Sequence, residues 1–385
     1  MEKIVRKSYK FRIYPSKSQV TILENTLDLC RELYNAALQE RRDAWKLNRI
    51  SISYFDQANQ LPAIKSIRTE FNDVYSQVLQ DVLKRIDRTF KAFFDRVKRK
   101  EKFGFPRFKG ENRFDSFCFP QSGFSLTDNK LMLSKIGKLK IKLSRQIQGK
   151  VKTCRIKREI DKWFVIFSVE TISQPLPKTG KQIGIDVGIE NFLTLSDGTQ
   201  IENPRYFENL QKQFRIAQRS IVRKKKDSKS RKKAVLRLRK IHQKVCRQRN
   251  DFHHKLSIFL VKEFDLIVCE DLNIKGLSKG FLSKQIHDVA WGNFLNKIEY
   301  KAECADKRFL KVNPNGTSQT CICGESVRKN LSVRYHKCTK CGYKNHRDIV
   351  SAQVILNRAL GTSVLASNNS LELLANESLL NKEIH

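Results

Sequence analysis

The chain has 385 residues, 40% of them hydrophobic, and carries 76 Lys and Arg against 39 Asp and Glu, a formal charge of +37. That length supports two or three domains with real cores, and the hydrophobic content excludes a wholly disordered chain. Such self-repulsion disfavours compactness unless a polyanion neutralises it, so nucleic acid is the expected partner.

A membrane partner is not expected. No uninterrupted apolar run approaches the ~20 residues of a spanning helix. Met1–Lys7 does not open a secretory signal, so a cytoplasmic location follows as an expectation. Of the cysteines, Cys30, Cys118, Cys154, Cys246, Cys269 and Cys304 are scattered singly and four are clustered. That suits a reducing compartment with one metal site better than a disulfide framework.

In chain order, Ser8–Pro15 alternates apolar and basic residues and predicts a strand with one dry face. Pro15 ends it and Ser16 caps a helix over residues 17–47. A second helical stretch is predicted from Ala63 to Arg99, with Val78, Leu79, Val82, Ile86, Phe90 and Phe94 on one face. Arg85, Arg88, Lys91, Arg96, Lys98 and Arg99 ring its other side, and read as facing nucleic acid.

Residues 102–170 change to short alternating runs, such as Lys138–Leu143 and Val151–Lys157, with a more buried strand at Trp163–Val169. Strands with basic outer faces predict a small antiparallel barrel able to track a phosphate backbone. Pro175, Pro177 and Gly180 form a linker.

Beyond it, Ile183–Gly188 and Phe192–Ser196 predict a hairpin, with Asp186 near the end of its first strand. Residues 205–262 read as helical with a break at Asp227-Ser228, and Arg219–Arg249 holds fifteen Lys or Arg. Leu266–Asp271 is a buried strand ending in acids. A helix at Val289–Asp306, a strand at Phe309–Val312 and a helix from Asp348 to Leu360 follow. The Ser- and Asn-rich tail reads as flexible.

Cys321-x-Cys323 and Cys338-x-x-Cys341, each followed by Gly, suggest a four-thiolate zinc knuckle. Asp186, Glu270 and Asp348 are the candidate acids. Taken singly, each has a bland reading, as a turn former or helix cap. Taken together in so basic a chain, they point to a carboxylate cluster holding Mg²⁺ or Mn²⁺ for phosphodiester chemistry.

These motifs carry a resemblance. Ile183–Gly188 resembles the first strand of a RuvC-like, RNase H-fold nuclease, and Glu270–Gly276 resembles the second acidic motif of the TnpB (OrfB) family of insertion sequences. Trp291-Gly292, Glu299–Ala302, Thr317–Cys321 and Arg347-Asp348 continue it, as do Tyr9–Pro15 and Phe105–Phe108 near the N-terminus.

The resemblance implies a multidomain α+β protein. Residues 1–15 and 102–175 would form a wedge-like, oligonucleotide-binding-like β-barrel, with 16–101 an inserted helical recognition lobe. Residues 180–316 and 344–362 would form the RuvC-like domain, 317–343 the zinc knuckle and 363–385 a flexible tail. It further implies a prokaryotic, nucleoid-associated RNA-guided DNA endonuclease acting with a guide RNA on double-stranded DNA. Asp186, Glu270 and Asp348 would be the catalytic, Mg²⁺-binding acids, with Cys321, Cys323, Cys338 and Cys341 on Zn²⁺. A cleavage-deficient RNA-guided regulator and a strand-transferring transposase are the alternatives.

Three positions depart from the family pattern. The first cysteine pair is one residue closer than usual, with His336 as a substitute ligand. Val350 stands where Asn is usual, and His346 where an acid is common.

Overall fold

The computed structural model describes residues 3–111, 113–330 and 333–361. The tail read as flexible lies outside these residues. The chain divides into two compact units after Ile172. No helix among the described residues is long and apolar enough to cross a membrane.

The first unit runs β1 (Ile4–Tyr14), α1 (Lys17–Asn48), α2 (Tyr54–Asn59), α3 (Leu61–Ile67) and α4 (Ser76–Lys98). Six strands follow: β2 (Ser116–Phe119), β3 (Phe124–Thr127), β4 (Lys130–Leu133), β5 (Gly137–Lys142), β6 (Lys150–Glu159) and β7 (Lys162–Ile172).

Ser16 caps α1 as its position predicts. Its hydroxyl accepts from Gln19 N at 3.2 Å, and the Gln19 amide oxygen accepts from Ser16 N at 3.0 Å. The continuous helix expected over Ala63–Arg99 is instead broken. A 3₁₀ turn at Thr69–Asp73 and an extended Val74-Tyr75 separate α3 from α4. The break lets Phe71 and Val74 enter the core, at 3% and 2% exposure, which outweighs helical propensity there.

The strands form one antiparallel sheet in the order β2-β6-β7-β1-β5-β4-β3. Phe11, Ile13, Val165, Phe167 and Val169 fill its inner face. Phe124 on the edge strand β3 lies 6.5 Å from Phe167 on β7, because the sheet curls towards a nearly closed barrel.

The second unit opens with β8 (Gln182–Val187), β9 (Asn191–Leu195) and β10 (Gln200–Glu202), then α5 (Tyr206–Asn209), α6 (Gln211–Val222) and α7 (Lys229–Glu263). The expected break before α7 is present: Asp227 has φ 62° and the Ser228 hydroxyl caps α7 by accepting from Arg231 N at 3.1 Å. Then come β11 (Leu266–Glu270), α8 (Ile274–Leu277), α9 (Ser283–Val289), α10 (Trp291–Cys304), β12 (Arg308–Val312), β13 (Tyr335–Lys337), β14 (Lys344–His346) and α11 (Arg347–Leu360).

Five strands make a mixed sheet in the order β10-β9-β8-β11-β12. The first three are antiparallel, and β8, β11 and β12 are parallel. One face packs Ile183, Ile185, Ile267 and Cys269 with Leu260 of α7 and Phe294 and Ile298 of α10. The other packs Leu266 and Val268 with Ile355 and Leu356 of α11.

Two local devices set this arrangement. Asp265 fixes the register: its N–H donates to Lys181 O at 2.8 Å, and its carbonyl accepts from Arg308 N at 2.8 Å. Its carboxylate accepts from Lys307 Nζ and from the N–H groups of Thr179 and Gly180. The Lys307 ammonium holds that carboxyl well below the usual carboxylate range.

The second device is Gly184 on β8. A Cβ there would stand 2.0 Å from Ala352 O and 2.9 Å from Leu356 Cβ. The backbone of α11 therefore rests directly on the strand, which only glycine permits. Gly184→Ala meets backbone and finds no rotamer relief. We expect it to cost about 1–3 kcal/mol, seen as a lower urea midpoint at unchanged m-value. An unchanged midpoint would show that α11 does not need this seat.

Candidate active site and cysteine cluster

β8 and β11 pair through Ile185↔Cys269. The next residue on each strand is Asp186 or Glu270, so the two acids leave adjacent parallel strands side by side, ~4.8 Å apart along the hydrogen-bonding direction. Strand alternation puts Asp186 on the face of Gly184, the face that α11 covers. From Gly184 to Asp186 the strand advances ~6.6 Å. From Ala352, which lies against Gly184, back to Asp348 the helix advances ~6 Å. Asp348, in the first turn of α11, thus comes level with Asp186.

Asp186 and Glu270 are both half-buried. Burial first, then the charges of Glu270 and Asp348, push the Asp186 carboxyl well above its ordinary value; a hydrogen bond from Ser351 opposes the shift. Burial likewise raises Glu270, opposed by a hydrogen bond from Thr317 and the charge of Arg358. Asp348 turns towards Arg347 Nε at 3.5 Å and His346 Nδ1 at 3.9 Å.

His346 is the N-cap of α11, its Nδ1 accepting from Asp348 N at 3.4 Å. At the position where an acid is common, it performs the same capping task. Val350 is buried at 1% exposure.

The three acids are electrostatically coupled but are not drawn into a tight ligand set. Among the described residues, the four cysteines are the one group of three or more Cys, His, Asp or Glu that could hold a metal ion, their ligand atoms within 4.8 Å of one another. Like charges repel, and the three carboxylates share that repulsion. The donors are all carboxylate oxygens, the ligand type of Mg²⁺ and Mn²⁺.

The cysteines come together on two turns. Gly324, at φ 87°, follows the first pair, and its N–H donates to Cys321 O at 2.9 Å. Gly342, at φ 73°, follows the second, donating to Cys338 O at 3.1 Å. Sγ–Sγ distances are 3.6 Å for Cys321–Cys341 and 3.7 Å for Cys323–Cys338. A tetrahedron with Zn–S bonds of ~2.3 Å has edges of ~3.8 Å. A disulfide would measure ~2.05 Å. The shortened first pair therefore still joins a four-thiol cluster of a size that could hold a metal ion. His336 stands apart from the cluster, its Nδ1 2.6 Å from Lys329 Nζ.

Ser351, Thr317 and Arg358 escaped the sequence reading. For Ser351 a signal was present: it is the one hydroxyl among the buried Val350, Ala352, Val354 and Ile355 of α11. Thr317 lies inside the Thr317–Cys321 motif, but nothing in the sequence ties it to Glu270.

A mixed α/β protein with a carboxylate cluster and a cysteine cluster is the class that fold and site define. Comparisons narrow it. A family model described as "Probable transposase" (OrfB) matches residues 164–280, and one described as "Cas12f1-like, TNB domain" matches 291–355. A third, described as "Helix-turn-helix domain", matches residues 1–49, which here form β1 and the single helix α1.

Two relatives bear the name "Putative RNA-guided DNA endonuclease". One, from Streptomyces pristinaespiralis, is 32% identical over 93% of this chain and 90% of its own length. The other, InsQ of Escherichia coli K12, is 30% identical over 95% and 94%. The chain belongs to the OrfB/TnpB family of transposon-associated RNA-guided DNA endonucleases. A Cas12f1–sgRNA–target DNA complex shares the fold, with a TM-score of 0.58 at 13% identity over 92% of this chain and 99% of that one.

Asp186 has a raised folded pKa, so its stabilising contribution is present below the unfolded value of ~3.9 and is lost as pH rises through the folded value. At pH 7.5 without Mg²⁺, we expect Asp186→Asn to raise Tm by about 2–4 °C, the shift for ~1 kcal/mol in a domain of this size. The gain shrinks towards pH 4, where the wild-type carboxyl is neutral. Calorimetry across that range checks it, and a gain independent of pH would rule out the electrostatic origin.

Proposed function

We propose that this chain is a guide-RNA-directed DNA endonuclease whose cleavage centre is Asp186, Glu270 and Asp348, acting with Mg²⁺ or Mn²⁺. The observation that carries this reading is the parallel register of β8 and β11, which sets Asp186 beside Glu270 under the helix that brings Asp348. The five-strand order, with its antiparallel first three strands, supports a RuvC-like, RNase H-fold domain over residues 180–316 and 344–362. Residues 317–343 are its inserted zinc knuckle. The curled sheet of the first unit supports a wedge-like, oligonucleotide-binding-like barrel, with 16–101 as a helical recognition lobe.

When bound, a divalent cation supplies positive charge against the developing phosphorane and lowers the pKa of attacking water. The chain's own acids are arranged to receive it. Each carboxylate is half-buried, where charge acts through a lower effective dielectric than in bulk water. Hydrolysis then breaks one P–O bond, and water's oxygen replaces the departing sugar oxygen on phosphorus. The basic surfaces of α4, α6 and α7 are suited to guide RNA and double-stranded DNA.

Purified with its copurifying RNA, the protein is expected to cut DNA matched to that RNA in Mg²⁺. Asp186→Ala is expected to lower cutting at least ~10³-fold, the equivalent of ~4 kcal/mol and of the order of the charge stabilisation at stake, while DNA binding persists. Persistent cutting removes Asp186 from the mechanism. Binding without any nicking by the wild type assigns the chain to the cleavage-deficient regulators. Joining of DNA ends without RNA assigns it to strand-transferring transposases.

The cysteine cluster makes a separate prediction. Elemental analysis of the purified protein is expected to find about one zinc per chain, as one four-thiolate site requires. Cys338→Ser is expected to reduce that content sharply. Wild-type protein free of zinc would overturn the assignment.

A further inference from the structure

We infer that the hydroxyls of Ser351 and Thr317 are positioning groups that aim Asp186 and Glu270 at a shared divalent cation. This rests on the acid cluster being the cleavage centre. Ser351 and Thr317 are each 3% exposed. Neither shares an element with the acid it holds. Ser351 lies on α11, one turn beyond Asp348 and next to Ala352, whose carbonyl rests against Gly184 of β8, so its buried hydroxyl sits at the seam with the strand that carries Asp186. A serine inside a helix more often returns its hydroxyl to the carbonyl one turn back. Thr317 opens the 3₁₀ turn Thr317–Gln319, and its hydroxyl donates to Glu270 Oε1. Pro314 O lies 3.0 Å from the same hydroxyl, so a single proton has two acceptors, and Glu270 is the closer.

A carboxylate with one oxygen held by a donor presents the other in a fixed direction. Groups that hold metal-binding carboxylates in this way set metal affinity without touching the metal. The two contacts also divide the work. Ser351 ties the strand of one acid to the helix of another. Thr317 ties Glu270 to the turn that leads into the cysteine cluster four residues later. Position 350, where the family pattern has Asn, is an apolar Val, and the neighbouring Ser351 supplies the polar contact.

The test compares hydroxyl-deleting with hydroxyl-keeping variants: Ser351→Ala against Ser351→Thr, and Thr317→Val against Thr317→Ser. The RNA-bound protein is treated with Fe²⁺, ascorbate and peroxide, so that iron held by the acids cuts the polypeptide nearby. Mg²⁺ competes, and the concentration that halves this cutting gives its affinity without any DNA cleavage. Ser351→Ala and Thr317→Val are expected to weaken Mg²⁺ binding ~10–100-fold. The hydroxyl-keeping variants are expected to stay within ~3-fold of wild type, below the loss typical of a deleted outer-sphere partner. DNA cutting by the deletion variants is expected to recover at high Mg²⁺.

Asp186→Asn separates the two levels. If it leaves the iron-directed cuts unchanged, the acid cluster is not the metal site and both readings fall. If it abolishes them while Ser351→Ala and Thr317→Val bind Mg²⁺ like wild type, the positioning role alone is overturned. Should Ser351→Ala misfold, the Thr317 pair still decides. Equal affinity in Thr317→Val and Thr317→Ser counts against the proposal.

Discussion

The acid centre depends on the absence of one Cβ. Gly184 allows the backbone of α11 to lie on β8, and that contact brings Asp348 level with Asp186 and seats Ser351 against the same strand. The rest of the seat is apolar: Val350, Val354 and Ile355 are each at most 4% exposed. Burying such side chains is worth ~1.5–3 kcal/mol each. A like-charge interaction that moves a pKa by one unit costs ~1.4 kcal/mol. The helix face can therefore hold mutually repelling carboxylates together without help from them. The fold imposes the cluster, which is the condition for a preorganised cation site.

A chain of charge +37 makes that cluster exceptional. Long-range attraction favours a polyanion, yet at the acids a phosphate meets carboxylates. At ~4 Å two unit charges interact by ~1 kcal/mol in water and ~4 kcal/mol at an effective dielectric of 20. Local repulsion there is strong enough to keep a phosphodiester from the acids until cations intervene. On the proposed reading, basic surface and acidic centre would have distinct tasks: the first to gather nucleic acid, and the second to admit it only together with divalent metal.

Much of this was legible because the signals were local. Alternation marked the strands, Ser16 marked a helix start, Asp227-Ser228 marked a helix break, and the cysteine spacing marked the cluster. Asp186 and Glu270 stood out as acids ending apolar runs. Their adjacency was not legible, because the register of two parallel strands separated by a helical insertion is fixed by Asp265, Lys307 and the linker, none of which a periodicity exposes. The helix predicted over Ala63–Arg99 failed for a related reason. Phe71 and Val74 fit an unbroken helical pattern, and only the core they fill explains the break. Ser351 and Thr317 are single hydroxyls whose partners are distant in sequence. The Cys-x-Cys spacing is one residue tighter than usual, yet the turn closed by Gly324 still brings all four thiols together.

The cysteine cluster gains meaning from its two ends. Thr317, just before it, touches Glu270, and His346, just after it, caps the helix that carries Asp348. The excursion between β12 and α11 therefore begins and ends at the acid centre. Left unlinked, a loop of that length holds its ends loosely, since closure entropy grows only slowly with length and supplies no fixed geometry. A four-thiolate metal site supplies ~10–16 kcal/mol of binding free energy to whatever conformation it closes. On the proposed reading, with zinc bound, that energy would fix the relative placement of Thr317 and His346, and through them the bearings of Glu270 and Asp348. The proposed zinc knuckle would then brace the acids, its ligand spacing mattering less than the rigidity it confers on the chain at either side.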